Sequence, residues 1–188
     1  LQSPINLVVD VSQNDIYLAY VHDQVDGALK VIHRDAATGL WSNDPGPGVP
    51  DFQSEDPPAV AIDSADNLYL AWGDGSTLEL WQRLAIDGTW SQVNTFVPQN
   101  CGLDLTTDSG NSPYASTTNP NAEGSQSVLV NGIGVASDSS VGNWAICHPT
   151  LAVGPDDYLY AVWQAELSGS NQTRLYLSTN SPLQTKHY

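Results

Sequence analysis

One short strand pattern recurs three times along the chain. The stretches DIYLAYVHD (15–23), NLYLAWGDG (67–75) and YLYAVWQAE (158–166) each carry a tyrosine as their third residue, followed three residues later by another aromatic residue. In each unit a proline and an apolar run precede this strand, a polar turn lies between them, and a second alternating strand follows. Alternating apolar residues bounded by turn residues are typical of antiparallel hairpins. The anchor tyrosines are Tyr17, Tyr69 and Tyr160, and the closing aromatics are Tyr20, Trp72 and Trp163.

The second half of the repeat agrees more closely between units than the first half does. Leu29, Arg34, Trp41 and Ser42 recur with identical spacing in the next unit, as Leu78, Arg83, Trp90 and Ser91. In the third unit the leucine is Leu175, and the chain ends close to where the tryptophan would fall. The repeated aromatics are therefore predicted to fill the space between neighbouring sheets.

The spacing of the anchors predicts the architecture. They are 52 and 91 residues apart, and 91 is close to two units of about 45 residues, a period typical of propeller blades. One small sheet cannot bury its apolar faces alone, whereas a stack of copies can. We expect one all-β domain, a β-propeller-like array of three or four antiparallel blades, incomplete unless other chains or a missing part close it. The predicted units are 1–56, 57–98, 99–147 (an eroded blade or an insertion bracketed by cysteines) and 148–188.

These motifs resemble the sialidase-like, neuraminidase-repeat superfamily of β-propellers. The hairpins RDAATGLWS (34–42) and AIDGTWS (85–91) are similar to degenerate forms of its Asp-box, and STNSP (178–182) is similar to the start of a third. The resemblance implies a complete propeller of six or more blades, so that 188 residues form a fragment, one of several chains in a ring, or a non-circular stack. Blades of this kind serve glycosidases, lectins and scaffolds alike.

Catalytic residues are not evident from the sequence. The resemblance implies three arginines that clamp a sugar carboxylate, but Arg34 and Arg83 occupy equivalent repeat positions, which favours a structural role for both. Hydrolysis by two facing carboxylates remains open, since no spacing singles out a pair among 21 acidic residues. We therefore assign no catalytic residue. The predicted structural repeat residues are Tyr20, Trp72, Trp163, Trp41, Trp90, Arg34 and Arg83.

Three aromatic residues are the candidate ligand-binding residues. Trp81 takes a position where the preceding unit has Ile32, and Tyr114 and Trp144 lie in the irregular segment. An aromatic face stacked on a sugar ring, with nearby amides and carboxylates, is a common way to hold a neutral glycan. Burial of Trp144 in a core is an equal alternative.

The net charge bears on which partners the chain can bind, and the cysteines bear on whether it is extracellular. A net charge of −16 disfavours binding to nucleic acid and to anionic membrane surfaces. The sequence contains no run of 18 apolar residues, so a membrane-spanning segment is not expected. Cys101 and Cys147 can form one disulfide, and Asn171 begins a glycosylation sequon. With few lysines, these features favour an extracellular or cell-surface protein. We expect no cofactor; acidic turns could hold Ca²⁺, although none has the spaced ligands of a strong site.

The sequence favours an extracellular, non-catalytic propeller module that binds a glycan or a protein. Two alternatives remain. The chain could be a structural subunit that assembles with copies of itself into a ring, filament or surface layer. It could also be a fragment of a sialidase-like glycoside hydrolase, with the remainder of a longer chain as its partner. A start at Leu1 without methionine suggests a processed or excised form.

Overall fold

The computed structural model describes residues 5–9, 14–22, 28–44, 46–47, 57–73, 77–96, 102–120, 126–131, 133–137, 147–166, 173–179 and 186–187. These residues form four antiparallel sheets of four strands each, in which strands that are consecutive in sequence pair with one another. The expected all-β fold class is confirmed. No helix long and apolar enough to cross a membrane is found in these ranges.

We call the four sheets blades 1 to 4 and number the strands in chain order. Blade 1 contains β1 (Ile5–Val9), β2 (Ile16–His22), β3 (Ala28–Arg34) and β4 (Trp41–Asp44). Blade 2 contains β5 (Ala59–Ile62), β6 (Leu68–Gly73), β7 (Leu78–Arg83) and β8 (Trp90–Phe96). Blade 3 contains β9 (Leu103–Thr107), β10 (Pro113–Pro120), β11 (Gln126–Val130) and β12 (Ile133–Ser137). Blade 4 contains β13 (Cys147–Val153), β14 (Leu159–Glu166), β15 (Thr173–Thr179) and β16 (Lys186–His187).

Blade 3 is formed by the segment in which the sequence shows no clear repeat. Its tyrosine, Tyr114, takes the same place at the start of the second strand as Tyr69 in blade 2. This divides the 91-residue gap between anchors into steps of 45 and 46 residues. The connections between blades lie largely outside the described residues, so the predicted unit boundaries stay predictions.

The turn between the first and second strands has the same construction in blades 2, 3 and 4. The first turn residue donates its backbone N–H to the carbonyl of the fifth and accepts from the fourth, whose backbone is left-handed. Asparagine and aspartate tolerate this conformation better than other non-glycine residues. The fourth residues are Asp66, Asn111 and Asp157, and blade 1 has Asn14 in the corresponding place.

Successive blades pack face to face. Among the described residues, buried apolar clusters lie between blades 1 and 2, between blades 2 and 3, and between blades 3 and 4. Strand β6 is buried along its whole length because both of its faces are covered. A strand covered on both sides is expected to be a continuous apolar run, which is what Leu68–Gly73 supplies.

Candidate active site on the inner strands

The first strand of each blade is an edge strand in the described part of the chain. Strands β1, β5, β9 and β13 lie at the start of their sheets and contact one another in that order. Edge strands carry backbone groups that their own sheet does not pair. Side chains of the neighbouring blade bind two of them: the Thr107 hydroxyl donates to the Ile62 carbonyl at 3.0 Å, and Asp104 accepts from the Leu151 N–H. Polar groups of adjacent blades therefore meet along the inner strands.

Asp104 is the main titratable group at this edge. Its Oδ2 accepts the Leu151 N–H of blade 4 at 2.7 Å, and its Oδ1 accepts the N–H of Leu105 at 2.9 Å. Burial raises the pKa of the Asp104 carboxyl group above its ordinary value, although the two N–H donors act in the opposite direction. A carboxyl group that keeps its proton at higher pH is suited to general acid catalysis.

Two buried hydroxyl groups of β10 have no hydrogen-bond partner among the described residues. Ser116 pairs directly with Asp104 across β9 and β10, and Thr117 pairs with the neighbouring Leu103. Both side chains are almost fully inaccessible. Burying an unpaired hydroxyl costs about 1–3 kcal/mol, so this part of blade 3 is less stable than an apolar one would be.

The sequence did not single out Asp104. It is one of 21 acidic residues, and its strand, LDLTT, reads as an ordinary alternating strand. The available signal was its place in the repeat. The equivalent residues of blades 1, 2 and 4 are Asn6, Ala59 and Thr150, so the position carries a carboxylate in blade 3 and an uncharged residue in the other three.

A second polar network lies at the other end of the inner strands, in the turns that follow them. Asp63 accepts hydrogen bonds from the N–H groups of Ala65 and Asn67 and from the Asn67 amide. It also lies 3.2 Å from the Tyr69 hydroxyl, and burial together with this carboxylate raises the pKa of Tyr69 to about 12. The network fixes the turn and the anchor tyrosine in place.

Tyr114 belongs to the equivalent network of blade 3. Its hydroxyl donates to Asp108 Oδ2 at 3.0 Å, and its ring packs against the cluster between blades 3 and 4. Burial raises the pKa of Tyr114. Ligand binding by Tyr114 stays a prediction.

Trp81 lies between blades 1 and 2. Its ring stacks on Trp72 with centroids 5.6 Å apart, and its indole N–H donates to Glu79 Oε2 at 2.9 Å. It is half-buried and lies in a different blade interface from Tyr114, so the structure does not bring these two predicted ligand residues together. Trp144, the third, lies outside the described residues. Ligand binding by Trp81 and Trp144 also stays a prediction.

The repeated tryptophans differ in exposure. Trp72 and Trp163 are buried between blades, and Tyr20 of blade 1 is half-buried. Trp90 packs against blade 1 and donates its indole N–H to Asp44 Oδ1 at 2.8 Å. Its equivalent, Trp41, is 49% exposed because no described blade covers that side of blade 1.

The guanidinium group of each repeated arginine lies close to a glycine of the turn between the third and fourth strands. A Cβ atom added at Gly39 would lie 3.4 Å from the Arg34 guanidinium, and one at Gly88 would lie 3.1 Å from that of Arg83; both glycines have a left-handed backbone. Arg83 also pairs with Asp44 of blade 1 at 2.6 Å. The Asp35 and Asp87 carboxylates, which belong to the same turns, accept hydrogen bonds from Thr38 and Thr89.

The remaining predicted sites are only partly described. Cys147 begins β13, whereas Cys101 and the sequon at Asn171 lie outside the described residues. Within the ranges that the structure describes, no group of three or more histidine, cysteine, aspartate or glutamate residues is arranged to hold a metal ion.

Neither a family model nor a curated protein sequence matches the chain. Its fold, however, matches solved structures. An α-L-arabinanase from Penicillium chrysogenum, complexed with arabinobiose, superposes with a TM-score of 0.64 at 9% identity, over 98% of this chain and 66% of its own. AofleA from Arthrobotrys oligospora gives 0.60 at 13% identity, over 98% and 56%. An engineered GH43 glycoside hydrolase with endo-xylanase and exo-arabinofuranosidase activity gives 0.53 at 11% identity, over 98% and 40%.

These matches correct the functional prediction. The sequence favoured a non-catalytic binding module, but named neighbours are active glycoside hydrolases, which favours the hydrolase-fragment alternative instead. The prediction was wrong because the absence of sialidase-type arginines does not exclude catalysis by a pair of carboxylates. Such a pair has no characteristic spacing in the sequence. The chain spans about two fifths to two thirds of the length of these relatives. At such low identity the likeness shows the fold: the chain is a β-propeller array similar to those of glycoside hydrolases.

Proposed function

We propose that the chain is the four-blade part of a glycoside hydrolase that acts on polysaccharides containing arabinose or xylose. The observation that carries the proposal is the position of Asp104. This carboxyl group, with its raised pKa, lies on an inner strand of a fold that arabinan- and xylan-degrading enzymes share. In this role Asp104 protonates the oxygen of the leaving sugar.

Glycosidases use a second carboxylate on the other side of the scissile bond. Glu55 and Asp56 stand shortly before strand β5 in the sequence, and β5 and β9 are adjacent inner strands. We propose one of these two acids, both of which lie outside the described residues, as the second carboxylate.

The finer assignments belong to the same proposal. The turns at 35–40 and 84–89 share two backbone hydrogen bonds and a left-handed glycine, which supports their kinship with the Asp-box of sialidase-like propellers. A Cys101–Cys147 disulfide, an extracellular location and a longer polypeptide as the partner that completes the propeller are proposed with it. The low lysine content and the cysteine pair support the location.

The test is hydrolysis by the polypeptide encoded in the full reading frame. Release of reducing sugar is measured on arabinan, xylan and a sialylated oligosaccharide, the last of which tests the sialidase relationship. Asp104→Asn should lower kcat by about 10²–10⁴-fold with little change in KM, because a general acid acts on the transition state. Asp35→Asn, in an exposed turn, is the matched control and should retain activity. Absence of hydrolysis on all three substrates, or full activity of Asp104→Asn, would contradict the proposal.

The Asp104→Asn variant also tests how the stability of the protein depends on pH. Burial raises the pKa of Asp104 in the folded protein, so its protonated form is favoured there. The resulting stability is fully present below the ordinary pKa of 3.8 and is lost as the pH rises through the raised value. The melting temperature of Asp104→Asn relative to the wild type should therefore rise between acidic and neutral pH. A melting-temperature difference that does not change with pH would show that the pKa of Asp104 is the same in the folded and unfolded protein.

A further inference from the structure

Blade 4 exposes the face that blades 1 and 2 bury. Leu29, Leu78 and Leu175 occupy the same register position in the third strand of their blades. The first two are 6% and 0% exposed, because the following blade covers them, whereas Leu175 is 57% exposed. The same holds in the first strand, where Ala61 is buried and its equivalent Ala152 is exposed. The outer face of blade 4 therefore carries apolar residues at positions that a neighbouring blade covers in blades 1 and 2.

Blade 1 shows the complementary difference on its other face. Leu18 and Tyr20 are half-buried, whereas their equivalents in blade 2, Leu70 and Trp72, are inaccessible because blade 1 covers them. Exposed apolar faces of this kind mark interaction surfaces. Blade 1 alone, however, does not decide which partner covers either face.

The turns identify which blade follows which. The Ser64 N–H and hydroxyl of blade 2 both donate to Asn111 Oδ1 of blade 3, at 3.1 and 2.7 Å. The Ser109 N–H and hydroxyl of blade 3 donate to the Asp157 carboxylate of blade 4, at 3.0 and 2.6 Å. In both cases the second turn residue donates to the left-handed fourth residue of the next blade.

The described turns at the two ends of the array do not match each other. Blade 4 has Pro155 where blades 2 and 3 have serine, and proline offers neither an N–H nor a hydroxyl. Blade 1 has Asn14 at the acceptor position, and its exposed side chain makes no hydrogen bond in the described part of the chain. If blade 1 followed blade 4, Asn14 would face a residue that cannot donate to it.

We propose that the outer face of blade 4 packs against a further four-stranded blade of the same polypeptide, and not against blade 1 of this chain or of a second copy. This blade presents bulky apolar side chains on its second strand, as blades 2 and 4 do with Trp72 and Trp163. The turn of the blade that precedes blade 1 in the closed propeller donates to Asn14. The inference rests on the proposed function to the extent that both require a longer polypeptide. The relatives described above are longer than this chain, which is consistent with it.

The first test is footprinting without substrate. The full-reading-frame polypeptide and the 188-residue chain are oxidised with hydroxyl radicals, and modification of Leu175 is compared by mass spectrometry with that of Ile86. Ile86 is 91% exposed at a turn tip of blade 2, where both neighbouring blades are present, so it is the internal control. Leu175 should be oxidised in the short chain and protected in the long one. Equal oxidation in both, a reading frame that adds no blade, or protection of Leu175 through dimerisation of the short chain would overturn the proposal.

The second test uses the turns. Asn14→Gly removes the side-chain acceptor without straining the left-handed backbone, so it should lower the melting temperature of the long polypeptide more than that of the short chain. Asn111→Gly is the matched control and should lower both to a similar extent, because its donor Ser64 is present in each. An equal effect of Asn14→Gly in both polypeptides would contradict the assignment. Both tests are read without hydrolysis, so an inactive protein with a protected Leu175 would reject the proposed function and retain this inference.

Discussion

Blades 2 and 3 share their strand order and their turn construction but differ in chemistry beside the inner strands. At three equivalent positions blade 2 is apolar and blade 3 is polar. The apolar residues of blade 2 complete the packing between neighbouring blades. The polar residues of blade 3 include a half-buried carboxyl group and two hydroxyls that have no partner in the part of the chain that the structure describes. The shared strand order accounts for the fold, and the differences between these two blades identify residues to test for function. The three pairs are Ala59 and Asp104, Ala71 and Ser116, and Trp72 and Thr117.

The largest effect is expected from the tryptophan that blade 3 lacks. Trp72→Ala removes a buried ring that stacks on Trp81 and should lower the free energy of unfolding by about 3–5 kcal/mol. Trp41→Ala is the control, since this repeat tryptophan is half exposed and its loss should cost no more than about 1 kcal/mol. Denaturant unfolding measures both. Similar losses for the two variants would show that the blade 1–blade 2 interface does not depend on the stack.

A reciprocal exchange tests the cost of the buried hydroxyl. Ala71→Ser places a hydroxyl in the apolar interface of blade 2 and should lower the free energy of unfolding by about 1–3 kcal/mol. Ser116→Ala removes the unpaired hydroxyl of blade 3 and should raise it by about 1 kcal/mol. If Ser116→Ala instead lowers the stability, the hydroxyl has a partner and blade 3 contains a completed polar network.

A smaller effect than that of Trp72→Ala is expected in the anchor tyrosines, which both blades retain. The Tyr69 hydroxyl lies within hydrogen-bond distance of Asp63, Asn111 and Gln82, whereas the Tyr114 hydroxyl bonds Asp108. Tyr69→Phe should therefore lower the free energy of unfolding by about 1–2 kcal/mol, and Tyr114→Phe should lower it by about 1 kcal/mol.

The pH dependence of the Tyr69 contribution follows from its pKa. The pKa is raised from 10.0 to about 12, so the stability that Tyr69 provides is complete below pH 10 and is lost as the pH rises towards 12. The stability difference between the wild type and Tyr69→Phe, measured by urea unfolding from pH 9 upwards, should shrink over that range. A constant difference would show that Tyr69 ionises in the folded protein as it does in the unfolded chain.

The all-β fold was predictable because the packing problem repeats. Tyr17, Tyr69 and Tyr160 stand in strands whose apolar residues face neighbouring blades, and their spacing indicated the blade period. The third blade was harder to recognise. Its strand reads PYASTTN where blade 2 reads LYLAWGD, so only the tyrosine and one small residue remain of the pattern.

The candidate site was not predictable for a different reason. Acidic residues are common on this surface, and the position of Asp104 against the Leu151 N–H depends on two strands 47 residues apart. Trp81 was selected because the repeat did not require it, yet it completes an interface through Trp72 and Glu79. Residues that a repeat does not require can still serve packing, and sequence spacing alone does not separate the two cases.

The left-handed residue of the inter-strand turn has a consequence for protein engineering. Consensus design of repeat proteins would place glycine there, because glycine adopts this backbone without strain. In this chain the same residue supplies the oxygen that the preceding blade's serine binds, as Asn111 and Asp157 show. Replacing these residues by glycine would relieve the local backbone strain but would remove the side-chain hydrogen bonds that link each blade to the next.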